Sequence, residues 1–143
     1  MVMTPREVFQ QTQQQWLGRP TPLTGEHLAD DVIIELPFAA PGQPARFEGR
    51  QGFLDFANPQ RAALPVHFDE CRTTAVHDTA DPDTIIVEYE LTGTLIETNQ
   101  QHTAAFVCVL TVRDGKVTRW REYQNTLAIL QALNPPATAT APR

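Results

Sequence analysis

Apolar positions recur with a helical period in the first part of the chain. A capping-box pattern at residues 4–7, with proline at the first helical position, predicts a helix that ends near Gly18. A second proline-led start predicts a shorter helix over residues 21–29. A third helix, predicted around residues 52–56, is disturbed by Pro59 and ended by Pro65. The chain ahead of residue 66 is therefore expected to supply about three helices.

From residue 66 onward the period changes from 3.6 to 2, which is typical of strands with one buried face. Asp114-Gly115 is typical of a type I′ hairpin turn between the last two strands. A short helical turn is expected over residues 127–133. The predicted strands, two of which lie between the helices, cover residues 32–38, 46–48, 66–76, 85–96, 103–112 and 117–125. Helices first and a long antiparallel meander last predict an α+β fold.

Twelve prolines among 143 residues support these boundaries. They start the first helices, end the first strand and close the third helix. None lies between residues 83 and 134, where central strands need every backbone N–H. Residues 1–133 are thus predicted to form one domain, followed by a flexible C-terminal tail over residues 134–143.

Charge and cysteine content narrow the class of protein. The formal net charge is −6, which does not suit a main role in binding nucleic acid or an anionic membrane surface. The chain has neither a membrane-length apolar run nor the pattern of a secretory leader. Its two cysteines, Cys71 and Cys108, are too few for a disulfide scaffold. We therefore expect a cytoplasmic protein with reduced thiols.

The element order and several short motifs resemble a known superfamily. N-terminal helices, a strand ending in proline, an Arg-Phe-Glu-Gly-Arg segment leading into a helix and four long strands resemble the ketosteroid-isomerase and nuclear-transport-factor-2-like superfamily. Residues 107–125, with Asp-Gly-Lys-Val and then Trp-Arg-Glu-Tyr-Gln-Asn, look most like its SnoaL-like branch, which includes polyketide cyclases and the phenazine-biosynthesis A/B proteins. The resemblance implies a cone-shaped, curved antiparallel sheet wrapped around the helices and enclosing a pocket. It implies little about function, because this superfold hosts many activities.

Strand parity, taken without the resemblance, points to Glu122. If Asp114-Gly115 forms a two-residue turn, regular pairing places Val109 opposite Trp120 and Val107 opposite Glu122. These four side chains would then share one face of the sheet. A carboxyl group among valines and a tryptophan is poorly solvated, which raises its pKa and suits a proton donor near neutral pH. Glu122 is therefore the leading candidate for a catalytic acid or base.

The resemblance implies the same residue. In the phenazine-biosynthesis A/B proteins, the glutamate of the corresponding Arg-Glu-Tyr/Phe segment is a cavity acid that donates a proton. His67 is the second catalytic candidate, at the pocket edge, since histidine titrates near neutral pH. The alternatives are a Glu122 paired with a neighbouring arginine and a surface His67 on an edge strand. Further pocket candidates, for which plain core is the alternative, are Trp120, Val107, Val109, Leu36, Phe38, Trp16 and Phe56.

The same comparison argues against classical ketosteroid isomerase activity. The resemblance implies a catalytic aspartate just before a proline at the end of the first strand, where this chain has Leu36. The second acid position falls near Val107 or Cys108, and neither side chain donates a strong hydrogen bond to an enolate. The Asp-Arg-Asp arrangement that serves epoxide hydrolysis in this superfold is not recognisable on the strands.

A metal site is disfavoured. His67, Asp69 and Cys71 alternate along one strand, but same-face neighbours lie about 6.5–7 Å apart and no fourth ligand is apparent. No metal and no cofactor are therefore expected.

The expected partners are a small apolar molecule and a second copy of the chain, without nucleic acid or membrane. The sheet face that carries Arg119, Arg121 and Tyr123 suits a homodimer contact, as the superfamily commonly forms, and a solvated face is the alternative. The leading functional hypothesis is a cofactor-free acid/base enzyme of the isomerase, cyclase or dehydratase type, with Glu122 moving a proton on an apolar cyclic or carbonyl-bearing substrate. The alternative is a non-catalytic ligand-binding or dimerisation module of the same fold.

Overall fold

A six-stranded sheet and three helices make up residues 2–134, the part of the chain that the computed structural model describes. The elements in chain order are α1 (Pro5–Gln14), β1 (Leu28–Glu35), β2 (Arg46–Glu48), α2 (Arg50–Ala63), β3 (Val66–Asp78), β4 (Thr84–Leu95), β5 (Gln101–Arg113), β6 (Lys116–Gln124) and α3 (Thr126–Leu133). The α+β class is confirmed. The predicted tail lies outside the described residues, apart from Asn134.

The strands lie in the order β2-β1-β6-β5-β4-β3, so the sheet is curved and unclosed, with β2 and β3 at its edges. All neighbouring pairs are antiparallel except β1 and β6, which run parallel and pair Ile34 with Trp120. The sheet is therefore mixed, and the expectation of a wholly antiparallel sheet is wrong at this pair. This parallel pair brings the first long strand against the strand that carries Glu122.

Two predictions that depend only on neighbouring residues, the start of α1 and the turn between β5 and β6, are confirmed. Helix α1 begins with the capping box, in which the Thr4 Oγ1 accepts a hydrogen bond from the Glu7 N–H at 3.2 Å and the Glu7 Oε1 accepts from the Thr4 N–H at 2.9 Å. Asp114 and Gly115 both have positive φ, at 52° and 76°, as a type I′ turn requires.

The helix predicted over residues 21–29 is wrong. The segment is an extended loop up to β1, which begins at Leu28, four residues ahead of the predicted start at Val32. The Asn58 side chain of α2 accepts a hydrogen bond from the Leu23 N–H at 2.8 Å and donates one to the Leu23 carbonyl at 3.2 Å. Gly25, with φ at +72°, turns the chain into the strand. A long-range amide contact thus replaces the local hydrogen bonds of a helix.

A β-bulge in β6 decides which side chains face the helices. Val112 pairs with Val117, but Thr111 pairs with Arg119, so Thr118 is an extra residue on β6. Beyond the bulge, Leu110 lies opposite Trp120. The helix-facing side of the sheet is consequently the side of Leu110, and the opposite side is the outer face.

The core lies between this inner face and the helices. Leu110, Val32, Val87 and Val117 are fully buried there, together with Val8 of α1. The outer face instead carries an ion-pair cluster, in which Glu35 contacts the guanidinium groups of Arg46, Arg119 and Arg121. No helix within residues 2–134 is long and apolar enough to cross a membrane.

Candidate functional site

A cavity of about 440 Å³ lies between the inner face of the sheet and helices α1 and α2. This volume is within the range of about 300–1,000 Å³ that small-molecule sites occupy. Side chains of β1, β4, β5 and β6 line it from the sheet, and α2 closes it from the opposite side. The inner face of the curved sheet is therefore covered only in part.

Aromatic rings form two walls of the cavity. On the sheet side, the Tyr89 ring stacks on Phe106 with centroids 4.9 Å apart, and Trp16 contacts both Tyr89 and Trp120 at 5.5 and 5.9 Å. On the α2 side, the rings that line the cavity are Phe47, Phe53 and Phe56, with centroids 5.2–5.4 Å apart along the row. A flat apolar molecule would lie between surfaces that favour ring contacts.

Glu122 is the acidic group on the sheet side of this cavity. Its Oε1 accepts a hydrogen bond from the Tyr89 hydroxyl, and a second from the Trp120 Nε1 at 3.3 Å. Among the described residues, no side chain or backbone group donates to its Oε2. Protein atoms enclose the carboxyl group, and the accessible part of the side chain is reached through the cavity. The oxygen without a partner is therefore the one available to a ligand.

The surroundings of Glu122 favour its neutral form. Burial raises the pKa of this carboxyl group above its usual value, and the hydrogen bonds from Tyr89 and Trp120 oppose part of that rise. Since both donors point to Oε1, the proton of the neutral acid belongs on Oε2. The geometry thus provides a carboxyl group whose neutral form is favoured and whose oxygen without a partner faces the cavity.

The raised pKa predicts how stability depends on pH. Folded Glu122 binds its proton more tightly than the unfolded chain does, so its stabilising contribution is complete below the unfolded pKa and is lost as the pH rises through the folded pKa. Glu122→Gln removes this titration. We expect the stability of the variant, relative to wild type, to increase as the pH rises above the ordinary glutamate pKa of about 4.3 and to level off above the folded pKa, as measured by urea unfolding. Glu97→Gln, at an exposed turn position, serves as the control. A constant difference between Glu122→Gln and wild type would contradict the prediction.

The predicted neighbours of Glu122 on β5 are wrong. Val107 and Val109 lie on the outer face, where they pair with Tyr123 and Arg121. Cys108 lies opposite Glu122 instead. The cause is the bulge at Thr118, which shifts the pairing of β6 by one residue and so exchanges the two faces of β5 relative to Glu122.

Four of the other five predicted pocket residues line the cavity. Trp16, Leu36 and Phe56 do so, as does Trp120. Phe38 does not: its side chain is 58% exposed and its ring contacts Tyr123 edge-on, with centroids 5.5 Å apart. The chain leaves β1 after Glu35 and turns at Pro37, so the alternation that aims Leu36 into the cavity does not continue to Phe38.

His67 is outside the cavity. Its ring is half exposed on β3 and its Nδ1 lies 2.9 Å from the Asp69 Oδ1. Phe68, the next residue, is the one that lines the cavity, because successive strand residues alternate between faces. The expected position of His67 at the pocket edge beside Glu122 is therefore wrong.

The structure also separates the residues weighed as metal ligands. Asp69 is an extra residue in the β3–β4 pairing, and this bulge turns Cys71 toward the core and away from His67 and Asp69. Within residues 2–134, no three His, Cys, Asp or Glu side chains come close enough to hold a metal ion.

Sequence reasoning missed the hydroxyl that holds Glu122. Tyr89 belongs to an alternating apolar series of β4, with Ile85, Val87 and Leu91, and this series is the signal that could have placed it on the inner face. Gln124 was also missed; it follows Glu122 on the same face and lines the cavity.

Polar side chains line a further part of the cavity, contributed by α1, α2 and the loop before β1. They are Thr12, Gln15, Glu26, His27, Gln60 and Arg61. An apolar cavity with a few polar groups is the usual composition of a small-molecule site, in which the polar groups fix the orientation of the ligand.

Comparisons with known proteins agree with this architecture. Residues 16–120 match the SnoaL-like domain family. A PhzA/B-like protein of uncharacterised function from Pseudomonas aeruginosa is 32% identical over 101 residues, which is 71% of this chain and 70% of that protein.

Two solved structures show the same arrangement of elements. A protein from Bacillus subtilis described as a candidate isomerase is 28% identical, with a TM-score of 0.69 over 78% of this chain and 79% of that one. A protein from Pseudomonas putida described as a candidate polyketide cyclase is 18% identical, with a TM-score of 0.66 over 92% of this chain and 98% of that one. At this lower identity the likeness concerns the fold alone.

Proposed function

Because the chain belongs to the SnoaL-like domain family, we propose that it binds a small apolar molecule, cyclic or carbonyl-bearing, and moves a proton on it with Glu122 as acid and base. The observation that carries the proposal is the Glu122 Oε2, which faces a 440 Å³ cavity while Oε1 is held by Tyr89 and Trp120. The reaction would be an isomerisation, cyclisation or dehydration, and it would need no cofactor.

The proposed proton transfer follows from the hydrogen bonds at Glu122. The neutral acid donates from Oε2 to a basic atom of the bound molecule, and the resulting carboxylate keeps the Tyr89 and Trp120 donors on Oε1. The carboxylate then accepts a proton from another atom of the same molecule, which restores the acid. Two donors that are already in place stabilise the anion when it forms, so little reorganisation is needed.

In this proposal the aromatic rings of the two cavity walls orient the substrate. A planar apolar body would stack against Tyr89 and Trp120 on one side and contact Phe53 and Phe56 on the other. The cavity volume supports a ligand-binding protein over a module whose interior is filled by its own side chains. A ligand carrier without catalysis is the remaining alternative, and an ordinary pKa for Glu122 would favour it.

The test is the titration of the Glu122 side-chain carbon, followed by NMR in wild type and in Tyr89→Phe. We expect a pKa above the ordinary value of about 4.3 in wild type. In Tyr89→Phe the pKa should rise further, because the hydroxyl that stabilises the carboxylate is lost while burial is unchanged.

Two results would contradict the proposal. An ordinary pKa for Glu122 in the folded protein would remove the basis for a proton donor near neutral pH. A pKa that falls in Tyr89→Phe would show that the hydroxyl does not stabilise the anion. Phe106→Leu, which changes the ring stacked on Tyr89 and leaves the hydroxyl in place, is the matched control.

A further inference from the structure

Arg61 brings an unpaired positive charge to the cavity wall. Its Nε donates to the Thr21 carbonyl at 3.0 Å, but its Nη2 is buried and has no hydrogen-bond partner among residues 2–134. None of the ion pairs within those residues includes Arg61. The residue is half-buried, and it lines the same cavity as Glu122.

This isolation distinguishes Arg61 from the arginines of the outer face. Arg46, Arg119 and Arg121 all contact the Glu35 carboxylate, which neutralises part of their charge. A guanidinium group stays charged in proteins, and the buried Nη2 of Arg61 keeps a donor that no group in the described chain accepts. Buried polar groups in native structures are normally paired. The missing partner is therefore expected to come with a ligand.

A second polar atom of the cavity wall is also buried without a hydrogen-bond partner among the described residues. This atom, the Nε2 of His27, lies 3.8 Å from the Glu26 Oε1, too far for a hydrogen bond. The Glu26 Oε1 instead accepts from the Gln15 Nε2 at 3.2 Å. The polar part of the wall thus retains unused hydrogen-bonding capacity on two separate elements.

The acids along the cavity do not neutralise Arg61. Glu26 is exposed at the edge and is engaged with Gln15. Glu122 is held by Tyr89 and Trp120, on the sheet side. Neither acid forms an ion pair with Arg61, so this part of the wall has a guanidinium group without a carboxylate partner among the described residues, which favours an anion over a neutral molecule.

We propose that the ligand of this cavity is an amphipathic acid, with an apolar ring body and a carboxylate, and that Arg61 anchors the carboxylate. The inference rests on the proposed function for the position of the ring, between the aromatic walls, and adds the chemical class of the ligand. The planar guanidinium fork matches a carboxylate better than a carbonyl, and such hydrogen bonds are stronger because both partners are charged. Binding in this way would require rotation about the last side-chain bonds of Arg61, because Nη2 is covered in the structure.

The test compares two probes with the same ring body, the anion naphthoate and the neutral naphthamide, by isothermal titration calorimetry. Wild type is expected to bind naphthoate about tenfold more tightly than naphthamide, as a charge-assisted pair predicts. Arg61→Met keeps an unbranched stem as far as the position of Nε and removes the guanidinium fork, so the preference of the variant for the acid should disappear. Arg61→Lys keeps the charge without the fork and should retain part of it. Arg19→Met, at an exposed arginine, should behave as wild type.

The outcomes separate this inference from the proposed function. Glu122→Gln is expected to keep the preference for naphthoate, since it leaves Arg61 intact. If the preference for naphthoate depends on Arg61 but the Glu122 pKa is ordinary, Arg61 remains the carboxylate anchor. The proposed acid/base role of Glu122 would then be wrong. The anchor itself would be overturned by equal affinities in wild type, by binding of neither probe, or by an undiminished preference in Arg61→Met and Arg61→Lys.

Discussion

Glu122→Gln is expected to slow proton transfer by about 10²–10⁴-fold, the contribution of one well-placed acid or base. Glutamine has the same shape, and its carbonyl oxygen can still accept the hydrogen bonds of Tyr89 and Trp120. Its amide nitrogen would replace the Oε2 that faces the cavity and can neither deliver nor remove a proton at neutral pH. The loss should therefore come from chemistry, with the fold and the cavity retained.

The measurement is the exchange of the α-hydrogens of tetralone, an apolar cyclic ketone, for deuterium in heavy water, followed by NMR. A base removes the α-proton, and the enolate regains a deuteron, so exchange reports the proposed step without a natural substrate. Wild type should accelerate exchange over buffer, and Glu97→Gln, at an exposed turn position, should match wild type. An equal rate in Glu122→Gln and wild type would assign the proton transfer to another group.

Leu110→Ala is expected to lower the free energy of unfolding by about 2–5 kcal/mol, the range for a large-to-small change in a packed core. Leu110 is fully buried on the inner face of β5. Its removal would leave a cavity beside Trp120, the residue that it pairs with. Urea unfolding at a single pH measures the loss.

Two valine substitutions on the same strand provide the control for this prediction. Val112 is buried on the inner face, whereas Val109 is half-buried on the outer face. Val112→Ala should therefore destabilise the protein clearly more than Val109→Ala does. The opposite order would mean that the bulge at Thr118 is absent and that β6 pairs regularly, with Glu122 opposite Val107.

The elements with local signals could be predicted from the sequence. The capping box of α1 and the Asp114-Gly115 turn depend on hydrogen bonds or backbone angles within a few residues, and both are confirmed. The long strands after Pro65 could also be predicted, since each is nine or more residues long and alternates over part of that length. Glu122 was placed on the cavity face by this reasoning, but with the wrong neighbours.

Which side chains of β5 face the helices could not be predicted from the residues of β5 alone. Phe106, Cys108 and Leu110 alternate with Val107 and Val109, so both faces of the strand are apolar. The residues of β5 therefore do not indicate which set of side chains is buried. The pairing with β6 determines which set faces the helices. A one-residue bulge in that pairing depends on packing of the whole sheet and leaves no local mark in the sequence.

The loop ahead of β1 and the site at Arg61 depend on contacts across long sequence separations. The Asn58 amide that holds Leu23 is 35 residues away, and the Thr21 carbonyl that receives Arg61 is 40 residues away. A proline-led start looks the same whether a helix follows or a distant side chain binds the backbone. The polar wall of the cavity therefore could not be predicted from the spacing of residues along the chain.

The parallel pairing of β1 with β6 has a consequence for how the chain acquires its structure. Glu35 of β1 and Arg121 of β6 are 86 residues apart, so this contact closes a very long loop. During synthesis β1 has only the short β2 as a neighbour until β6 emerges, and the helices meet an incomplete sheet. We expect a slow, late folding step, because contacts of high sequence separation form last and limit the rate. The Trp120 and Glu122 that complete the cavity would arrive in that same step, so binding competence and global folding should appear together.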